Sequence, residues 1–94
     1  MERVDLDTRK GIIELPYRMF NPRDLYVVHA AMRDVLVMRC EILHMADVMR
    51  YEGYCPHFRA LEPGEMMPIY DVEVDEDENG VINEVIFHER VAVQ

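Results

Sequence analysis

From Pro22 to Glu52 apolar residues recur every three to four positions, no glycine or proline interrupts them, and Gly53 follows. At about 100° per residue, Leu25, Val28, Met32, Val35, Leu36, Ile42, Leu43, Ala46 and Met49 form one broad apolar face. Val27, Ala30, Val37, Met38, Met45 and Val48 form a second. A narrow polar strip remains around His29, Arg33, Asp34, Cys40, Glu41, His44 and Asp47. Asn21 can cap such a helix, Pro22 suits its first position, Asp24 favours its positive end and Gly53 offers a stop. The pattern therefore predicts one helix over residues 22–52, about 46 Å long at 1.5 Å per residue.

Two other segments alternate with period two. Gly11–Leu15 reads as a short strand stopped by Pro16. Residues 66–93 read as a β-hairpin about Asn79-Gly80, a strong turn signal. Tyr70, Val72 and Val74 share one face of its first strand; Val81, Val85, Phe87, Val91 and Val93 share one face of its second. A two-residue loop pairs Val74 with Val85 and Val72 with Phe87, so core meets core; a four-residue loop keeps that parity and a three-residue loop reverses it. The expected fold is α+β, a single domain over residues 1–94. One long amphipathic helix packs on a small antiparallel sheet, the C-terminal hairpin plus a candidate N-terminal strand. A helix apolar on two sides needs two covers, so a homo-oligomer through the helix is expected.

With 94 residues, half of them apolar, the chain supports one small core. Two cysteines do not make a disulfide framework and, with eight methionines, suit a reducing compartment. No apolar run approaches the ~20 residues of a membrane span, and MERVDLDTRKG lacks the apolar stretch of a secretory signal. A soluble, cytoplasmic protein is expected.

Charge changes the picture more. The net charge is −9, and residues 1–60 hold nine acids and nine bases, whereas residues 61–94 hold ten acids and only Arg90. A direct nucleic-acid binder needs a basic face; this distribution points instead to a partner with a basic surface. Six acids fall between Asp71 and Glu78. Asp71, Glu73, Asp75 and Asp77 alternate, which puts them on the outward face at intervals of about 6.8 Å, of similar order to the spacing of phosphates along a nucleic-acid strand. Glu84 then lies opposite another acid, Asp75 or Glu73, an unfavourable arrangement for a purely solvated face. Ile82 and Ile86 are expected on the same surface. These seven residues are the expected partner-binding set, against the plainer reading of a charged edge that resists aggregation.

Other chemistries fit less well. Asp75, Asp77, Asn79, Gly80 and Ile82 match an EF-hand loop at its early positions, but the twelfth position, which should be glutamate, is Ile86. Cys40, His44, Cys55 and His57 are zinc-type ligands, but on the predicted helix Cys55 cannot reach back to Cys40. Glu41 and His44 have the Glu-x-x-His spacing, which needs several such helices. Neither a phosphate-binding Gly-rich loop nor a nucleophile motif is present, so no catalytic residue, cofactor or resident metal is assigned. Arginine outnumbers lysine nine to one. Arg39 and Arg50 inside the apolar helix face, with Tyr17, Arg18, Arg23 and Tyr26 at its start, form an alternative site for an anionic, nucleotide-like molecule. The plainer reading is that these arginines pair with the acidic end.

The sequence thus predicts a small, acidic, non-catalytic binding protein. It would block or occupy a basic, nucleic-acid-handling protein, as compact phage-type inhibitors of similar size and charge do. An oligomeric sponge or sensor for an anionic small molecule is the second reading, and a metal-binding protein the third.

Overall fold

A computed structural model describes residues 6–90. It holds five strands and one short helix: β1 (Lys10–Pro16), α1 (Leu25–Met32), β2 (Leu36–Leu43), β3 (Val48–Tyr54), β4 (Ile69–Glu76) and β5 (Ile82–Glu89). The strands form a single mixed sheet in the order β2-β3-β1-β4-β5. All neighbours are antiparallel except β1 and β4, which run parallel.

The α+β architecture with one long helix is therefore corrected. The fold is mostly β, and the 22–52 segment is a helix of eight residues followed by a hairpin. The start is shifted: the Asn21 side-chain oxygen accepts N–H bonds from Arg23 and Asp24 at 2.9 and 3.1 Å in a turn that precedes the helix, which begins at Leu25 with Asp24 at its N-cap and no side-chain cap. The end has no local signal. Tertiary contacts stop α1, as Asp34 meets His57 Nε2 at 2.9 Å and residues from Leu36 onward pair with β3. The β2–β3 turn, His44 to Asp47, contains neither glycine nor proline; Asp47 supplies the left-handed residue at φ 56°, a conformation aspartate tolerates better than most residues. Within β3, Arg50 and Glu52 alternate with Met49 and Tyr51. A segment apolar on both sides of a helix is equally two alternating strands, and here the sheet wins. Oligomerisation through a long helix loses its basis with it.

Gly11–Leu15 lies within β1, the central strand, where Gly11, Ile13 and Leu15 face the core. Gly53 of β3, Val28 and Ala31 of α1, Cys55 and Phe58 of the β3–β4 connection, and Tyr70 of β4 complete the buried set. The Phe58 and Tyr70 rings stack 4.3 Å apart, and Phe87 meets Phe58 edge-on at 5.5 Å. Gly11 makes this possible, since a Cβ there would lie 2.8 Å from Tyr70 and 3.0 Å from Phe58.

The β4–β5 hairpin has the expected core register, Val72 opposite Phe87 and Val74 opposite Val85. Its loop differs. Asp77 donates its N–H to Val81 at 2.9 Å, Gly80 donates to Asp77 at 3.0 Å, and Gly80 has φ 81°. Three residues thus separate the last paired positions, which alone reverses parity. A bulge restores it, because Asp75 faces Glu84 whereas Glu76 faces Ile82, leaving Asn83 as the extra residue. Val81 is consequently exposed rather than in the core, and Val91 and Val93 lie outside the described residues. Among the described residues no helix is long and apolar enough to cross a membrane.

Candidate functional site

Helix and connection cover one face of the sheet; among the described residues the other face carries charged side chains and no covering element. Across it runs a ladder of ion pairs. Glu14 of β1, with its side chain 10% exposed, accepts from Arg50 Nε and Nη2 at 2.9 and 2.6 Å through one oxygen and from Arg90 at 2.9 Å through the other. Arg90 also grips Asp71 at 2.5 and 3.2 Å. Burial works against charge on Glu14, but the hydrogen bonds and charges of Arg50 and Arg90 outweigh it and hold its carboxyl below the ordinary value. Hydrogen bonding from Arg90 lowers Asp71 likewise. Next along the hairpin, Glu73 lies 3.3 Å from His88.

Beyond Glu73 the compensation ends. Asp75 and Glu84 stand directly opposite each other, both exposed, with no ion pair to either among the described residues. Glu78 projects from the turn, also exposed. The other acids of this end have structural tasks. Asp77 Oδ1 accepts the N–H groups of Asn79 and Val81, both at 2.9 Å. Glu76 accepts the Tyr26 hydroxyl at 2.8–2.9 Å, which pushes the Tyr26 phenol up. The seven residues expected to form a partner surface therefore divide. Asp71 and Glu73 are internally paired, Asp77 caps the turn, and Asp75, Glu84 and half-buried Ile86 remain on the outward face. The Asn83 bulge turns Ile82 to the helix side, opposite Glu76.

On that side a cleft of about 290 Å³ opens between α1 and β5, lined by Ala30, Arg33, Asp34, His57, Asn83 and Phe87 among others. His57 lies flat against Phe87, their ring centres 6.0 Å apart, with Asp34 fixing its Nε2. No hydroxyl or thiol lines this cleft. Cys55, two residues from His57, is fully buried, and burial pushes its thiol up, the opposite of an activated nucleophile. Sequence reasoning did not find the Asp34–His57 pair, because the two are 23 residues apart and no local pattern links them.

The arginine and tyrosine set does not converge. Arg50 is committed to Glu14 and Arg39 lies 3.7 Å from Glu41, both on the open face. Tyr26, Arg23, Arg18 and Tyr17 belong to α1 and the turns before it, and all four are exposed. Nor do Cys40, His44, Cys55 and His57 assemble: Cys40 is exposed on β2, Cys55 is buried, and His57 is with Asp34. Among the described residues no three His, Cys, Asp or Glu side chains are placed to hold a metal ion. No family model matches the chain, and neither a curated protein nor a solved structure is matched.

Proposed function

We propose that this protein is an acidic binding module that presents the tip of its β4–β5 hairpin to a basic surface on a protein partner. The observation that carries this reading is the placement of Asp75 opposite Glu84. Two carboxylates face each other across a strand pair at a small cost in stability, next to Glu78 and beyond the reach of Arg90. On the same face Arg50 and Arg90 pair with Glu14 and Asp71, and His88 lies 3.3 Å from Glu73, whereas no base is placed at the tip. A lysine- or arginine-bearing partner supplies the missing charge, with the half-buried Ile86 as an apolar contact beside it. The free thiols suit a reducing compartment, and we place the protein in the cytoplasm. Binding, not catalysis, is its task.

The test is the triple variant Asp75→Asn, Glu78→Gln, Glu84→Gln, which leaves Asp77 and the turn intact. Its melting temperature should equal or slightly exceed that of the wild type. Immobilised wild type should capture basic proteins from an extract of the source cells and release them as salt rises, since surface charge acts over about 10 Å at 0.1 M. The variant should retain less than a tenth of them. Identical captured proteins for both chains would refute the proposal. Capture that appears only with calcium and vanishes with chelator would reassign the tip as a cation site.

A further inference from the structure

The sheet has two edges, and they are not treated alike. β5 is interrupted by the Asn83 bulge, carries Glu84, His88 and Glu89, and is flanked by α1. These are devices by which proteins keep an edge from pairing. β2, eight residues long, has neither a proline nor a lysine, and among the described residues no strand pairs with its outer edge. Leu36, Met38 and Ile42 on it are 59%, 62% and 41% exposed. Its one irregularity is a bulge at Met38.

β2 is also self-complementary. Arg39 and Glu41 oppose Glu52 and Arg50 of β3 and so lie on the open face; Cys40 and Ile42 oppose Tyr51 and Met49 and lie on the helix side. Suppose a second copy adds its β2 antiparallel, with a two-fold axis perpendicular to the sheet. Opposed residues must then share a face, so the axis must pass through a residue and not between two. Centring it on Arg39 or on Glu41 sets a like charge against itself. Centring it on Met38 or Ile42 leaves Arg39 or Glu41 facing an apolar residue. Only the axis through Cys40 sets Arg39 against the partner's Glu41 and Glu41 against the partner's Arg39; the bulge at Met38 falls just outside this regular stretch.

We propose that two copies of this chain pair β2 to β2 in that register, joining their sheets into one of ten strands, with Cys40 on the axis. The pairing satisfies the free backbone groups of the edge and covers its exposed apolar residues. It also sets Arg39 and Glu41 against opposite charges on the partner, as Glu52 and Arg50 do on the β3 side. This dimer does not depend on the hairpin tip, which lies on the far side of the sheet.

Charge reversal tests the register. Arg39 and Glu41 have side chains 67% and 40% exposed, so reversing either leaves the fold standing. Sedimentation equilibrium up to millimolar concentration should show a dimer for the wild type. Arg39→Glu sets Glu41 against the new acid, and Glu41→Arg sets Arg39 against the new base; each should raise the dissociation constant at least tenfold. Mixing the two variants should restore a dimer containing one of each, because every charge again meets its opposite. A short bis-maleimide should join wild-type chains through Cys40, since Cys55 is fully buried, and should fail with Cys40→Ser. A monomeric wild type, a dimer indifferent to Arg39→Glu, or a mixture that stays monomeric would each overturn the proposal.

Discussion

Replacing Glu14 with glutamine removes the charge that ties the central strand to β3 and to the end of β5. Glutamine fills the same space but offers one acceptor, and its amide points donors at arginines that are themselves donors only. Breaking a fully buried ion pair costs about 3–5 kcal/mol. Here Glu14 is 10% exposed, but Arg50 and Arg90 are 32% and 43% exposed. Both regain water when the partner is lost, and Arg90 keeps Asp71. A loss of about 1.5–3 kcal/mol at neutral pH follows from discounting the buried value for that solvation. At about 4–8 °C per kcal/mol for a domain this size, the Tm falls by roughly 6–24 °C. The pH dependence gives a second signature. Because the Glu14 carboxyl titrates below its ordinary value when folded, its contribution is complete above about pH 4.3, the unfolded value, and is lost as pH falls through the folded one. Urea denaturation of the two proteins from pH 7 to pH 2.5 should therefore show curves that converge in acid. A variant within 0.5 kcal/mol of the wild type at pH 7, or a gap as wide at pH 2.5 as at pH 7, would refute the ladder as a stabilising element.

Two further outcomes follow from the core. Gly11→Ala drives a methyl group into the stacked Phe58 and Tyr70 rings, which are both buried; chemical denaturation should show a loss of about 1–3 kcal/mol, and an unchanged midpoint would mean the stack can move. In the folded protein a thiol reagent should label Cys40 at once and Cys55 only as fast as the chain opens, given the burial that raises the Cys55 thiol; equal labelling rates would show Cys55 to be accessible.

What could be read from the sequence was what local pattern determines. β1 and the β4–β5 register were legible because alternation and an Asn-Gly turn are short-range signals; the start of α1 was legible only to within a turn, because Asn21 closes the turn before it and Asp24 is the N-cap. The end of α1 was not, because it depends on Asp34 meeting His57 and on β3 offering a partner to Leu36–Leu43. The turn between β2 and β3 concealed itself by using Asp47 where glycine would have announced it. Cys55 and Phe58 sit in a Pro-containing connection with no periodicity, so their place at the centre of the core had no precursor in the pattern. At the candidate site the acidic residues were legible as a group. Their division into paired, capping and uncompensated members depends on where Arg90, His88 and Tyr26 come to rest.

The position of β1 has a consequence for synthesis. β1 is translated well before its parallel neighbour β4 and the arginine that closes on Glu14. Once Tyr54 has been added, β1, β2 and β3 can already associate, leaving one side of β1, including Ile12 and Ile13, unpaired. The 35 residues from there to Glu89 take on the order of 2–7 s to translate at about 5–20 residues per second. During that interval the nascent chain presents a second bare strand besides β2, this one apolar and at the future centre of the molecule. The finished sheet conceals its most adhesive edge, and the growing chain must carry that edge exposed until the hairpin arrives.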